Sequence, residues 1–263
     1  MTLPMPRLAP QPRPESLRAG RLLAIASGKG GVGKTWFAIT LAHALSRRGE
    51  RVLLFDGDLG LANVDIQLGL TPQHDLGSVL EGRVALSQAV TRHEGGFEIL
   101  AGRSGSGALS QMDLPVLDGL LGELRSQSGE RERVILDLGA GLDRGVRHMS
   151  AFADTLLVLV TEEPTSLTDA YATLKLHAAD APGGQALVVV NQATTRASGE
   201  RTYATLARAC QAFLGRTPPL LGVIRRDDRV RDAIRHQSLF LVRHPTAPAA
   251  GDIEAIAAGL QGA

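Results

Sequence analysis

Residues Gly28 to Thr35 read GKGGVGKT, with two lysines, Lys29 and Lys34, set among Gly28, Gly30, Gly31, Val32 and Gly33. The whole chain has three lysines against twenty-five arginines, so most of its lysine lies in this one loop. The run fits G-x-x-x-x-G-K-[ST]. Glycines let the backbone curl so that successive N–H groups converge on one anion, and a helix start behind them adds partial positive charge. Lys34 then reaches the β- and γ-phosphates of a nucleotide, and the Thr35 hydroxyl is a magnesium ligand. Lysine suits a tight cradle because it is a compact point charge, whereas arginine is a planar fork. A plain glycine-rich turn is the alternative, and the strand before the loop and helix after it disfavour it. The simple motif leaves Lys29 unused. An exposed loop lysine is the bland account, and it is weak in a chain with one other lysine outside the loop.

Carboxylates follow two further apolar runs. After Val52–Phe55 come Asp56 and Asp58, at i and i+2 and so on one side of the strand. One can hold magnesium through water while the other orients an attacking water; a solvated acidic turn is the alternative. The run Val134–Leu136 ends in Asp137-Leu138-Gly139-Ala140-Gly141. An aspartate closing a buried strand suits a magnesium shell, and the glycines, Gly141 among them, let amides approach a terminal phosphate. The competing reading makes Asp137 the cap of a helix over Ala140–Ser150. Asn191 ends the run Ala186–Val190, where its amide offers a donor and an acceptor to an adenine edge. An ordinary turn asparagine is the competing reading there.

These positions need a scaffold that brings strand ends together. Strand candidates are Leu22–Ala26, Val52–Phe55, Val134–Leu136, Thr155–Val160, Ala186–Val190 and Leu220–Ile224, with Phe97–Leu100 weaker. Helical spacing covers Thr35–Arg48, Leu114–Ser126, Thr168–Ala178, Arg201–Phe213 and Ile253–Leu260. Ser166 and Asp169 have the spacing of a capping-box-like helix start, with Pro164 just outside. Strands apolar throughout are buried on both faces, which means a parallel sheet between helices, with ligands at the carboxyl ends. The expected fold is α/β: a P-loop NTPase with a mostly parallel twisted sheet in a three-layer α/β/α arrangement. Five of the thirteen prolines fall in the first 14 residues, so residues 1–20 read as a disordered tail and 21–263 as a single domain. The net charge of +1 gives no global argument for nucleic acid. The single cysteine, Cys210, forms no internal disulfide and reads as a small apolar helix residue, in keeping with a cytoplasmic location. No apolar run approaches the roughly 20 residues that span a bilayer.

The K-G-G-V-G-K-T run with its extra early lysine resembles the deviant Walker A motif of the MinD/ParA ATPases, and the resemblance extends from about Arg21 to the end. It implies ATP and Mg2+ as cofactors, slow hydrolysis, and a homodimer in the ATP-bound state. In that dimer Lys29 would reach the phosphates bound by the partner subunit, a job like that of an arginine finger. It further implies that Asp58 orients or activates water, that Asp56 supports magnesium and that Asn191 contacts the base. Asp56–Leu70 (DGDLGLANVDIQLGL) and Glu162–Leu176 (EEPTSLTDAYATLKL) are similar to the FlhG/FleN branch, MinD-like ATPases that control number and placement of polar flagella. The implied partners are flagellar assembly proteins or transcription regulators, with recruitment to a cell pole. The rivals are a DNA-segregation ATPase of the ParA type and a catalytically inactive nucleotide-binding scaffold. Four departures stand out. Trp36 replaces a small polar residue, its indole expected under the loop or near the nucleotide. Leu138 replaces a threonine. Arg225 replaces the proline of a G-x-I-P-x-D pattern over Gly222–Asp227. Of a D-Q-A-x-x-L-R partner motif only Leu17-Arg18 remains.

Two surface readings complete the expectations. Ile253, Ile256 and Leu260 share a helix face with no basic residue or bulky aromatic beside it, so that face should pack on the domain rather than bind a membrane. Arg225–His236 carries five arginines and three aspartates. A DNA-binding patch is one reading, and a helix laced with arginine–aspartate pairs is the favoured one.

Overall fold

The computed structural model describes residues 22–102, 112–127 and 131–261. The tail expected over residues 1–20 lies outside them. The apolar runs form β1 (Leu22–Ser27), β2 (Val52–Gly57), β5 (Arg133–Ala140), β6 (Thr155–Val160), β7 (Gln185–Ala193) and β8 (Leu220–Arg225). Two three-residue strands, β3 (Val90–Arg92) and β4 (Glu98–Leu100), complete the sheet. Its order is β3-β4-β2-β5-β1-β6-β7-β8, and every pairing is parallel except β3 with β4. The strand before the glycine-rich loop therefore lies inside the sheet, flanked by β5 and β6. Strands β2, β5 and β7 run past the ends of their apolar runs, so Asp56, Asp137 and Asn191 belong to strand termini rather than to loops.

Eleven helical segments accompany these strands among the described residues. They are α1 (Lys34–Arg47), α2 (Val64–Leu68), α3 (Leu76–Leu80), α4 (Leu86–Ala89), α5 (Leu114–Gln127), α6 (Arg144–Phe152), α7 (Pro164–Asp180), α8 (Arg196–Leu214), α9 (Arg229–Arg235), α10 (Phe240–Arg243) and α11 (Pro248–Gln261). Alternation along the strands divides the core in two. Leu23, Ile25, Leu54, Ile135 and Val189 pack with α1, α10 and α11. Leu22, Ala24, Leu53, Phe55, Leu136 and Val190 pack with α5 to α8. Each of these strand side chains is fully buried, and full burial of a large aliphatic side chain contributes about 1.5–3 kcal/mol. Ile253, Ile256 and Leu260 are buried as expected. Helix α11 lies so close on β8 that a Cβ at Gly222 would stand 2.5 Å from Ile256 Cγ1. Cys210 is buried in α8. No helix among the described residues is long and apolar enough to cross a membrane.

Helix starts depart from the sequence reading. Helix α7 begins at Pro164, whose missing N–H costs nothing in a first helical turn. Ser166 is therefore inside the helix, and its Oγ accepts a 3.0 Å bond from the Thr161 amide. The Ser166–Asp169 capping box does not form, because the serine ties the end of β6 instead. Helix α8 starts five residues before Arg201, where the Thr195 hydroxyl accepts from the Ser198 amide at 3.0 Å.

His43 is buried on α1 beside the Phe97 ring. Burial first, then the charge of Arg47 and the nearby His93, lowers its pKa to about 4. The unfolded chain takes up this proton near pH 6.5, whereas the native state does so only near 4. Stability from a neutral His43 is thus lost as pH falls through that window. Lowering the pH from 7.5 to 5 should cost wild type more thermal stability than it costs His43→Gln. Melting curves of both at the two pH values check this, and parallel curves would exclude it.

Candidate functional site

The loop Gly28–Gly33 joins β1 to α1, and its shape requires glycine at identifiable points. Gly31 and Gly33 have φ of 80° and 88°, a region that side chains other than glycine rarely adopt. A Cβ at Gly28 would stand 2.5 Å from the Cβ and carbonyl oxygen of Asp169, so α7 rests directly on the loop. The first residue of α1 is Lys34, largely buried, and no side chain caps the N-terminus. The first-turn amides of α1 are therefore open to an anion.

Register brings the predicted carboxylates to the same sheet end. Asp56 of β2 lies opposite Asp137 of β5, which in turn lies opposite Ile25 of β1. Asp56 Oδ2 accepts from the amides of Asn63 (2.9 Å) and Val64 (3.0 Å), and Oδ1 from that of Asp58 (3.3 Å). It thereby folds the following loop back over the strand end. Burial, and then the charge of Asp137, lifts Asp56 to a pKa of about 7 against these amides. Asp58 Oδ1 accepts from the Leu61 amide at 3.0 Å and lies near Gly139. Leu61 itself is 74% exposed.

Asp137 is the least compensated group. Both its oxygens are sealed from solvent without a well-formed hydrogen bond. Burial lifts its pKa to about 6, while Lys34 and the Thr35 hydroxyl oppose the rise. A buried carboxylate next to a lysine and a threonine hydroxyl, with no well-formed hydrogen bond among the described residues, suits a hard cation. Asp137 is not a helix cap: Asp143 fills that place for α6, accepting from the Val146 amide at 3.0 Å. Leu138 is buried in the sheet opposite Gly57. Gly141, at φ 102°, donates its amide to Ser27 at 3.1 Å.

Asn191 is buried within β7, and its Nδ2 donates to the Val32 carbonyl at 2.7 Å. The next residue, Gln192, has φ of 56° and donates Nε2 to the Gly31 carbonyl at 3.3 Å. Both amides thus brace the loop from the β7 side. Lys29 is half-exposed and ion-paired to Glu163, with Thr165 Oγ1 at 3.1 Å from its Nζ. Trp36 turns away from the open side of the loop. Its buried indole meets the Phe240 ring edge-to-face at 5.3 Å. Gln192 had no signal as a site residue; Glu163 and Thr165 stand in the Glu162–Leu176 stretch noted for its resemblance but had no assigned role, because each of the three meets the loop across more than 130 residues of chain.

The arginine-rich stretch does not form one laced helix. Arg225 belongs to β8, and α9 starts only at Arg229, which pairs with Asp227 at 2.8 Å. Asp232 pairs with Arg243 and His244 as well as His236. Arg226, Arg231 and Arg235 make no ion pair among the described residues.

Comparisons with known proteins agree with this geometry. Residues 23–240 match the family model described as CobQ/CobB/MinD/ParA nucleotide binding domain. Antiactivator FleN of Pseudomonas aeruginosa is 35% identical over 92% of this chain and 86% of its own length. The flagellum site-determining protein YlxH of Helicobacter pylori is 28% identical over 73% of this chain, which spans 64% of that protein. In a MinC:MinD cell division complex of Aquifex aeolicus, one chain superposes with a TM-score of 0.78 at 26% identity, covering 93% of this chain and 97% of the other. With its braced glycine loop and strand-end aspartates, the chain belongs to the CobQ/CobB/MinD/ParA nucleotide-binding family and is a MinD/ParA-type ATPase within it.

Proposed function

We propose that this protein is an ATP-dependent dimerisation switch that regulates flagellar number or placement. The observation that carries the reading is the Asp137 carboxylate, buried beside Lys34 and Thr35 without a well-formed hydrogen bond among the described residues. Mg2+, when bound with ATP, supplies charge neutralisation on the phosphates. Thr35 and Asp137 are the groups to hold it, with Asp56 in support. Lys34 and the amides of Gly30 to Thr35 bind the phosphates, Asn191 the base side. Asp58, at the edge of the exposed loop, orients the attacking water.

Lys29 has the second half of the work. Its ammonium rests on Glu163 at the surface, within reach of solvent. In a face-to-face dimer it would leave that carboxylate for the phosphates bound by the partner subunit. Hydrolysis then returns it and opens the dimer. The likeness to FleN and YlxH supports a flagellar output, and the MinC:MinD relative supports a protein partner as its reader.

Solution mass by light scattering tests the switch. Asp58→Ala should double its mass with Mg-ATP and stay monomeric with Mg-ADP. Adding Lys29→Ala should abolish the doubling. A monomer that binds ATP would remove the trans role and favour a scaffold. In hydrolysis assays Lys29→Ala should lower phosphate release by on the order of 10³. Asp137→Asn should raise the Mg2+ concentration needed for half-maximal hydrolysis by about 10- to 100-fold, as loss of a group that holds a metal site together does.

A further inference from the structure

A nucleotide on the loop Gly28–Thr35 is met by different halves of the sheet at its two ends. The aspartates lie on β2 and β5, to one side of β1, and so mark where the terminal phosphate goes. On the nucleotide reading above, the nucleoside lies on the other side, where Asn191 and Gln192 bring the end of β7, and β8 beside it, against the loop. There the chain runs from Arg225 through Arg226 and Asp227 to Arg229. Its inner side is tied to β7, where the Arg226 amide donates to the Ala193 carbonyl at 2.8 Å. Asp227 Oδ1 closes its far end by accepting from the Arg229 amide (3.1 Å) and Nε (2.8 Å).

The outer side is fastened by one residue of α11. Asp252, 6% exposed, accepts three bonds from Arg225. Oδ2 takes the backbone amide at 3.0 Å and Nε at 2.9 Å, and Oδ1 takes Nη2 at 2.9 Å. Nη2 also donates to the Pro248 carbonyl at 3.1 Å. A planar guanidinium with both ends engaged fixes orientation as well as distance, which a single ammonium contact does not. The amide bond to the same carboxylate fixes the backbone where β8 stops. Arg225 is the ion-pair partner of the nearly buried Asp252, so removing either leaves the other unmatched.

We propose that the Arg225–Asp252 pair positions the nucleoside side of the site, making α11 its outer support and setting purine-nucleotide affinity separately from phosphate affinity. Arg225 is here a positioning residue: it acts on the nucleotide through the backbone of Arg226 and Asp227. The inference rests on the nucleotide reading above and adds a division of labour to it. The phosphate cradle depends on β1, α1, β2 and β5, whereas the nucleoside wall depends on a pair 27 residues apart at the end of the chain.

Calorimetric titration of the full chain with Mg-ATP and, separately, with Mg-tripolyphosphate tests it. Tripolyphosphate probes the cradle without a nucleoside. Arg225→Gln and Asp252→Asn should each weaken ATP roughly tenfold, in line with what small misplacements of binding groups cost, and leave tripolyphosphate within about twofold. Arg225→Lys, which keeps charge but not the fork, should fall between. A purely structural role would move both ligands together, and the titration stoichiometry corrects for any unfolded fraction. Parallel weakening of both ligands, or no weakening of either, overturns the proposal while leaving the nucleotide reading intact. A wild-type chain that binds neither ligand overturns both.

Discussion

The structure turns on two carboxylates held side by side out of water. Parallel pairing puts Asp56 and Asp137 at the same level of β2 and β5, and hydrophobic burial on both sheet faces denies them solvent. Burial lifts both above the ordinary carboxylate range, with the charge of Asp137 adding to the rise at Asp56 and, last and least, that of Asp58 at Asp137. The neighbourhood answers the two differently. Asp56 gathers three backbone amides and, in doing so, folds the loop that carries Asp58. Asp137 gathers no comparable set and faces Lys34 and Thr35 instead. A carboxylate so poorly compensated favours a cation beside it, and the uncapped helix start of α1 favours an anion, which is what the proposed nucleotide and its metal would supply.

The same economy governs the loop. It has few side chains with which to hold itself, so it is braced from outside. Asn191 and Gln192 engage its carbonyls from β7, Gly141 reaches Ser27 from β5, and α7 packs onto Gly28. The contact at Gly28 has a consequence for signalling. Lys29 is paired to Glu163 just before α7, so one loop touches the helix both through packing and through charge. On the proposed trans role, movement of Lys29 toward a partner subunit would break its pair with Glu163 at the start of that helix. That ion pair is exposed and so only weakly held.

How much of this was legible depended on how local each signal is. The glycine loop, Lys34 and Thr35 stand in eight consecutive residues, and the strand-end aspartates announce themselves by following apolar runs. The layered sheet followed from strands apolar on both faces, as Leu22 to Ala26 and Val134 to Leu136 show. Short elements were not legible: α2, α3, α4, α10 and β3 each have three to five residues, too few for a period to register. Helix α7 was misread because Ser166 looks like a cap, yet its hydroxyl serves a backbone amide outside the helix. Glu163, Gln192 and Asp252 were invisible for a different reason. Their chemistry is ordinary, and only the crossing of distant chain segments brings Glu163 and Gln192 to the loop and Asp252 to Arg225.

Two departures from the family pattern are met by the C-terminal helices. Trp36 and Arg225 stand where smaller or more rigid residues are usual, and each is answered by a residue near the end of the chain. Phe240 receives the indole, and Asp252 receives the guanidinium. A bulky aromatic in the first turn of α1 needs an apolar wall, and a strand end with a free amide and a long cation needs an acceptor. Both needs are met within thirteen residues of α10 and α11, which also pack on α1 and β8. Both positions are secured by long-range contacts to one segment. The start of α1 and the end of β8 are thereby both anchored on α10 and α11, at opposite ends of one C-terminal segment.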